Sequence, residues 1–394
     1  MSNSKLDIKR IIVNPKSKKK QYIFLDKHNI QIKDIEILSR VKKLIIPPAY
    51  TDIRIANSSN NYLQAVGIDD KGRKQYIYKK SFVEQQSKTK YCELKHIGEK
   101  IIQIQKDVRA LMLSDKPIDD KNKMIALIIY ILSNCYFRIG NIHYFNEHKS
   151  HGVSTLQSNH LTFKNNKLDI KFIGKKGVLN TCLLEDALSV KLLKELYNLT
   201  KKEKRPNNFL FYYRNKDKNS DNQLYLIKPT DINDFLSQYH PDITLKMFRT
   251  WGANYIFLEE IIKKKNEFME IANLKQPKNE NEGKNKGKIK INNSKEKIGR
   301  ESDKLIKEII KTIAIRLHNT PTVSKKSYLD NNLVQIYLED PKSFWMKIKT
   351  SNNKNDLTVL LSEFLQKNCN ESKKTKKTTN NQNGGWSLFK SFFN

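Results

Sequence analysis

The sequence has 394 residues, of which 38% are hydrophobic, so it is long enough for two domains and at least one sizeable core. Its 74 Lys and Arg residues outnumber the 41 Asp and Glu residues, and the formal net charge of +33 predicts a polyanionic partner, with nucleic acid as the first choice. An anionic membrane surface is the alternative, but no apolar run approaches the roughly 20 residues that a spanning helix needs.

The beginning of the sequence and its cysteines bear on the compartment. Residues 1–5 lack the apolar stretch of a secretion signal, so we expect an intracellular protein that is not secreted. The cysteines are far apart and show neither the spacing of zinc ligands nor that of a disulfide framework: they are Cys92, Cys135, Cys182 and Cys369. We therefore expect ordinary thiols in a reducing compartment.

The first 88 residues carry strand patterns and are predicted to form a small β-rich, DNA-binding domain. Gln21–Leu25 and Ile53–Ile55 are short strand candidates. Tyr62–Gly67 and Lys74–Tyr78 flank the turn sequence Asp69–Gly72, which predicts a β-hairpin.

Residues 89–366 are predicted to form a larger, mainly helical catalytic domain. Glu99–Met112 and Lys121–Asn134 have helical spacing, and the second is apolar nearly all round, which indicates a buried helix. Three antiparallel strands are expected from Leu161 onward, with turns at 164–167 and 174–177. Helical patterns then occupy residues 184–198, 230–238, 244–267, 302–318 and 321–339.

Two stretches interrupt this pattern. Residues 274–300 are dominated by Lys, Asn, Glu and Gly, which predicts a solvated basic linker inside the catalytic domain. Residues 367–394 are predicted to be a disordered tail. The fold class that follows is α+β, with a β-rich N-terminal domain and a helical domain that contains a small three-stranded antiparallel sheet.

Four residues could cleave a phosphodiester without a metal. Such a reaction needs guanidinium groups to hold the charged phosphate, a nucleophile, and an acid for the departing oxygen. Arg138 and Arg249 lie in apolar, helix-associated segments, Lys175 lies at a hairpin tip between glycines, and Tyr328 lies on the last predicted helix. Taken singly, each also fits an ordinary role: a structural arginine paired with a carboxylate, an exposed turn lysine, or a half-buried tyrosine.

The order of these residues and the segments around them resembles the type IB DNA topoisomerases of the poxvirus and bacterial kind. The resemblance runs from about residue 40 to 345, and its specific segments are Ile46–Asp52, Leu63–Ala65, Asp70–Tyr76, Phe137–Gly140, Phe172–Lys175, Phe248–Gly252, Asn319–Pro321 and Lys325–Tyr328. It implies a two-domain monomer that closes as a clamp around double-stranded DNA. It also implies relaxation of positive and negative supercoils without ATP, metal or any other cofactor.

The resemblance also implies the role of each catalytic residue. Tyr328 would attack the scissile phosphate and become a 3′-phosphotyrosine, while Arg138 and Arg249 hold the nonbridging oxygens. Lys175 would protonate the 5′ oxygen. A further donor stands nine residues before the tyrosine in this family, where this chain has Asn319 (328 − 319 = 9), and the neighbouring His318 is the rival.

DNA contacts are implied at two further places. Gln75, Tyr76 and Tyr78, with Arg73 and Lys74 beside them, match a hairpin that poxvirus relatives lay in the major groove. The alternative for Tyr76 and Tyr78 is that they face the core of the β-rich domain. Tyr144 matches another DNA-facing tyrosine of the family, whereas Asn141 departs from the poxvirus Lys, so a poxvirus-like target sequence is in doubt.

Two other functions are open at this point. A tyrosine recombinase shares this chemistry, but it usually has His three residues before its second catalytic arginine, where this chain has Lys246. A noncatalytic basic chromatin protein would explain the charge of +33 and leave the ordered motifs unexplained. If the protein is viral, we expect it in the virion or at the viral replication site.

Overall fold

The computed structural model describes residues 6–14, 21–214, 223–264, 267, 284–339, 344 and 357–365, and within them the side chains of all but 88, 284–299 and 336. The described residues up to Lys90 form one compact unit and those from Tyr91 form a second. Among the helices of these ranges, none is long and apolar enough to cross a lipid bilayer. The predicted tail and residues 274–283 of the predicted linker lie outside the described residues.

The first unit is built on one antiparallel sheet of five strands. In chain order its elements are β1 (Ile8–Ile12), β2 (Tyr22–Leu25), α1 (Ile35–Lys43), β3 (Thr51–Ile55), β4 (Leu63–Ile68) and β5 (Lys74–Tyr78). The strand order is β2-β1-β3-β4-β5. The predicted strands and the β4–β5 hairpin are confirmed, while β1 and α1 were not predicted.

The turn of the β4–β5 hairpin is held by one carboxylate. Asp69 Oδ1 accepts hydrogen bonds from the main-chain N–H groups of Lys71 and Arg73, each at 3.0 Å. Gly72 has φ +71°, a left-handed conformation that glycine adopts without steric cost. One face of the five-stranded sheet packs with α1 around a small hydrophobic core made by Ile8, Phe24, Val41, Ile53, Ile55 and Ala65.

The second unit is mainly helical and contains two small sheets. Its helices are α2 (Lys80–Leu113, which begins in the first unit), α3 (Lys121–Cys135), α4 (Ile142–His148), α5 (Ala187–Glu203), α6 (Pro229–Ser237), α7 (Leu245–Lys263), α8 (Lys284–Arg316), α9 (Pro321–Ser327) and α10 (Asn331–Glu339). The strands β6 (Leu161–Lys164), β7 (Lys167–Ile173) and β8 (Leu179–Leu184) form the three-stranded sheet, and β9 (Tyr212–Arg214) pairs with β10 (Leu224–Leu226). The predicted three-stranded antiparallel sheet is confirmed.

Several helices differ from the sequence-based expectation. Helix α2 begins at Lys80 rather than near residue 99, and α4 was not predicted. Residues 284–300, expected to be a solvated linker, form the first half of α8. The second half of α8 carries apolar residues at helical spacing and packs in the core. The helix extends from there into the polar residues before it, so polar composition alone did not show where α8 begins.

The predicted single helix over 321–339 was wrong, because the chain breaks at Tyr328. Helix α9 ends there, and Asp330 then caps α10 by accepting a hydrogen bond from the N–H of Asn332 at 3.0 Å. The N–H of Asp330 donates to Asn254 Oδ1 on α7 at 2.8 Å. The capping bond and the bond to α7 thus satisfy main-chain groups that would bond within the helix if a single helix ran from 321 to 339.

The expectation that the cysteines are ordinary thiols was wrong for one pair. Cys135, the last residue of α3, and Cys182 in β8 form a disulfide with their Cα atoms 5.5 Å apart. They are 47 residues apart in the chain, a spacing with no motif, and only the packing of β8 beside the end of α3 brings them together.

Breaking this disulfide should destabilise the second unit. We expect reduction, or Cys182→Ser, to lower the free energy of unfolding by about 2–4 kcal/mol, because the bond no longer restricts the unfolded chain. Urea unfolding with and without a thiol reductant measures this. Cys92→Ser, which leaves the disulfide intact, should behave as wild type, and equal midpoints for wild type and Cys182→Ser without reductant would contradict the expectation.

Candidate active site

The side chain of Arg249 is buried within the second unit. Arg249 is only 5% exposed on α7. Its Nη1 donates to the main-chain oxygen of Tyr136, and its Nη2 donates to that of Leu317 at 2.6 Å. Nε is buried without a hydrogen-bond partner among the described residues. Because these two hydrogen bonds go to carbonyl oxygens and no carboxylate pairs with Arg249 among the described residues, the interpretation of a structural arginine paired with a carboxylate is not supported.

Arg138 lies in the loop that follows α3. The helix ends at Tyr136 in a left-handed conformation, and Arg138 Nη2 donates to Asn319 Oδ1 at 2.6 Å. The loop is held against residues 152–155: the N–H of Val153 donates to the Arg138 oxygen at 3.0 Å. Gly140 has φ +84°, and a Cβ there would meet Gly152 within 3 Å, so the two main chains approach too closely for any side chain.

Tyr328 stands in the break after α9, half-buried against Arg249. The Arg249 guanidinium carbon is 5.3 Å from the centre of the Tyr328 ring. Burial by itself would raise the pKa of the Tyr328 hydroxyl, but the charges of Arg249, Arg138 and Lys246 and a hydrogen bond from Arg249 together lower that pKa below its ordinary value. Burial in turn lowers the pKa of Arg249 to about 10. The group best placed to act as a nucleophile therefore lies in a strongly electropositive site.

Two residues that the sequence did not single out hold the main chain at Tyr328. Asn254 is fully buried on α7, and its Nδ2 donates to the Tyr328 oxygen at 3.0 Å while its Oδ1 receives the N–H of Asp330. The hydroxyl of Tyr91 donates to the Leu329 oxygen at 2.6 Å. Asn254 lies five residues after Arg249 on the same helix, so an amide in the apolar segment of a candidate arginine was the signal available in the sequence.

Lys175 lies at the exposed tip between β7 and β8, as expected. The tip turns through left-handed residues, with φ 64° at Lys176 and φ +74° at Gly177. Its base is anchored to the Arg138 loop, because Phe172 packs edge-on against Phe137 with ring centres 4.8 Å apart. The hairpin thus rises from the same part of the core as the two arginines.

The two rivals for the fourth donor differ in what their side chains already do. His318 Nε2 is 2.8 Å from the Thr181 oxygen, and because a carbonyl can only accept, Nε2 must carry the proton. Burial, and secondarily the charges of Arg249 and Arg138, lower the pKa of His318, although its bond to Thr181 opposes them. Asn319 Nδ2 is buried and unpaired within the described part of the chain, on the amide that Arg138 contacts. His318 Nδ1 is also buried without a partner, but in the neutral ring it carries no hydrogen, so Asn319 has donor hydrogens available and neutral His318 does not.

In the first unit, β5 presents its tyrosines to solvent. Tyr76 and Tyr78 are 36% and 39% exposed and their rings stack 6.4 Å apart, so they do not face the core. Gln75 points to the other face, where its Nε2 donates to Asp69 Oδ2 at 2.9 Å. Arg73 pairs with the same oxygen at 2.7 Å, and its hydrogen bond is the main cause that lowers the pKa of Asp69 to about 2. Lys74 is exposed.

The two remaining sequence-predicted contacts lie around α4. Tyr144 is 48% exposed and stacks beside His148 at a ring distance of 6.4 Å. Asn141 is the N-cap of this helix, because its Oδ1 accepts from the N–H of His143 at 2.7 Å. Its side-chain oxygen thus has a structural partner, while Tyr144 is available at the surface.

Comparison with known proteins agrees with this geometry. The family model of the eukaryotic DNA topoisomerase I catalytic core matches residues 79–354, and that of the bacterial DNA topoisomerase IB N-terminal domain matches residues 21–69. The DNA topoisomerase 1B of Acanthamoeba polyphaga mimivirus is 28% identical over 326 residues, 82% of this chain and 85% of the relative. The DNA topoisomerase 1 of Rabbit fibroma virus is 26% identical (77% and 82% covered), and the DNA topoisomerase 1B of Vaccinia virus strain Copenhagen is 25% identical (76% and 81%). Since the catalytic-core model spans well over half of the sequence, the chain belongs to the type IB DNA topoisomerase family.

Proposed function

We propose that Tyr328 is the nucleophile of this topoisomerase and forms a 3′-phosphotyrosine with one strand of duplex DNA. The observation that carries the proposal is the position of Arg249 against Tyr328, at 5.3 Å from guanidinium carbon to ring centre. Nearby positive charge favours the phenolate, and the lowered pKa of Tyr328 has that cause once the opposing effect of burial is overcome.

The two arginines and Asn319 act on the phosphate. A pentacoordinate phosphorus carries extra negative charge, and donors fixed in a water-poor site stabilise that charge without having to reorganise. Arg138 and Asn319 are already joined at 2.6 Å, and Arg249 is held by two carbonyl oxygens. These hydrogen bonds of Arg138 and Arg249 go to uncharged oxygen atoms, so a bound phosphate would be the anion that balances their positive charge.

Lys175 protonates the 5′ oxygen as it leaves. Because the phosphotyrosine keeps the energy of the broken bond, the same groups reseal the strand without ATP, and the arginines take the role that a metal ion has in other nucleases. Rotation of the released end between cleavage and resealing relaxes supercoils of either sign.

DNA is bound by both units, which close as a clamp around the duplex and act as a monomer inside the cell. The exposed Tyr76 and Tyr78 on β5, together with Lys74 and Tyr144, contact the duplex. Gln75 and Arg73 are both bonded to Asp69 and hold the hairpin in shape. Either residue can contact a DNA base only after it gives up its bond to Asp69. The net charge of +33 supplies salt-sensitive affinity that is independent of sequence.

Tyr328→Phe should abolish the covalent adduct and leave DNA affinity nearly unchanged, because only the attacking oxygen is lost. Denaturing gels of a labelled suicide substrate measure the adduct, and fluorescence anisotropy measures binding. Tyr225→Phe, which alters an exposed tyrosine of β10, is the matched control and should form adduct normally. A protein–DNA adduct formed by the Tyr328→Phe variant would refute the assignment.

Lys175→Ala should slow cleavage of ordinary DNA, because the 5′ oxygen then leaves without a proton. A substrate with sulfur at that bridging position needs no acid, since thiolate is a far better leaving group, and should be cleaved at nearly the wild-type rate. Single-turnover cleavage of both substrates measures the difference. Lys176→Ala, one residue along the same tip, should cleave both as wild type does, and equal slowing of both substrates by Lys175→Ala would exclude the acid role.

Asn319→Ala should slow cleavage roughly tenfold to a hundredfold, which corresponds to about 1–3 kcal/mol for a lost donor. His318→Gly should have a small effect, because His318 has φ 52° and glycine accepts that conformation. Single-turnover cleavage by both variants compares them, and the reverse order of losses would move the role to His318.

The pH profile gives an independent test of the same choice. If protonated His318 were the donor, cleavage would fall as pH rises through its pKa, which burial sets below the ordinary value. We expect the wild-type and His318→Gly profiles to have the same shape. A fall with rising pH that only the wild type shows would contradict the choice of Asn319.

A further inference from the structure

Three possible metal ligands meet on the second unit in a place that the proposed chemistry does not use. His96 lies on α2, and His240 and Asp242 lie in the segment between α6 and α7, 144 and 146 residues later (240 − 96 and 242 − 96). One nitrogen or oxygen from each lies within 4.8 Å of those of the other two. Only the tertiary fold brings these side chains together.

The three side chains are close enough to share one ion after a small rearrangement. The two imidazole rings are stacked nearly parallel, with centres 4.1 Å apart and an angle of 11°, so one ring turns for both nitrogen lone pairs to point at the same ion. His240 Nδ1 is 3.8 Å from Asp242 Oδ2, and it accepts only a weak hydrogen bond, at 3.3 Å, from the Asp242 N–H. The His240 Nδ1 lone pair thus accepts from the Asp242 N–H with the carboxylate close by, and an ion bound through Nδ1 would replace this one weak hydrogen bond.

Carboxylates beside the three side chains also favour a cation. Glu99 Oε2 lies 3.7 Å from His96 Nδ1, and Glu93 lies three residues before His96 on α2. A divalent cation would offset their negative charge together with that of Asp242.

We propose that His96, His240 and Asp242 bind one divalent transition-metal ion, of which Zn²⁺ is the best match. Two imidazole nitrogens and one carboxylate oxygen are a ligand set typical of zinc, with the fourth position left for water or for a carboxylate from α2. A bound ion would tie α2 to the segment that leads into α7, the helix that carries Arg249. None of the three residues has a role in the proposed chemistry, so we assign the site a structural or regulatory role.

The test begins with full-length protein that has been treated with chelator and dialysed. Titration with ZnCl₂ in a calorimeter should show saturable binding of one ion per chain, and Zn²⁺ should raise the midpoint of thermal unfolding by at least about 2–4 °C. Co²⁺ should give the visible absorption of a tetrahedral site. MgCl₂ and CaCl₂ at the same concentration should neither bind saturably nor raise the unfolding midpoint. If Mg²⁺ or Ca²⁺ binds as tightly as Zn²⁺, the cluster is a nonspecific acidic patch and the proposal is wrong.

Variants then assign the ligands. His96→Ala, His240→Ala and Asp242→Asn should each weaken Zn²⁺ binding by roughly tenfold to a hundredfold or more. Asp242 is exposed, so Asp242→Asn keeps the fold even if a histidine variant does not, and far-ultraviolet circular dichroism checks this.

Two matched controls exclude other zinc sites. Cys92→Ser removes a thiol one helical turn before His96, and His148→Ala removes an exposed histidine that lies beside a carboxylate, 3.7 Å from Glu147. Both variants should bind Zn²⁺ as wild type does. The proposal is overturned if no ion binds, if Asp242→Asn binds with unchanged affinity, or if Cys92→Ser alone abolishes binding.

Discussion

The burial of the Arg249 guanidinium is the constraint on which the rest of the catalytic region depends. Removing such a charge from water costs several kcal/mol unless its hydrogen bonds are satisfied. Two of its hydrogen bonds go to the main-chain oxygens of Tyr136 and Leu317, which lie two residues before Arg138 and two residues before Asn319, respectively. One buried side chain on α7 thus fixes the chain segments that carry two other candidate residues, and the Tyr328 ring packs on the same group.

The same charge makes the region ready for an anion. The hydrogen bonds of Arg249 to two carbonyl oxygens leave its positive charge without a carboxylate counterion among the described residues, and Arg138 adds a second charge whose bond goes to a neutral amide. Both charges oppose the effect of burial on the Tyr328 hydroxyl and lower its pKa. A phosphate that enters is therefore met by groups already in place, which is how an enzyme stabilises a transition state without a metal.

What could be predicted from the sequence was the part that depends on local pattern. The alternation around Asp69–Gly72 predicted the β4–β5 hairpin. The apolar segments around Arg138 and Arg249 singled out both arginines, of which Arg249 is buried and Arg138 is half-buried. The family and its activity followed from motif order, and the comparisons confirm them.

What could not be predicted depends on contacts between distant segments. Strand β1 finds its partners in β2 and β3, the latter more than 40 residues later, and Cys135 meets Cys182 only through packing. The apolar spacing of residues 321–339 continues through Tyr328, but hydrogen bonds of Asn254 on α7 with Tyr328 and Asp330 hold the chain in a break there. The spacing of apolar residues predicts which side chains are buried, but it does not predict hydrogen bonds to side chains from distant parts of the sequence.

The hairpin that bears Lys175 has a consequence for how such an enzyme can change. Arg249 is buried, packs on the Tyr328 ring and holds the segments that carry Arg138 and Asn319, so replacing it would disturb its neighbours. Lys175 stands on an exposed tip whose turn residues pack on little, with φ 64° at Lys176 and open space around Gly177. If Lys175 has the proposed role, natural variation or laboratory selection at this tip would change the rates of cleavage and resealing together, and with them the lifetime of the nick, while the buried groups stay unaltered.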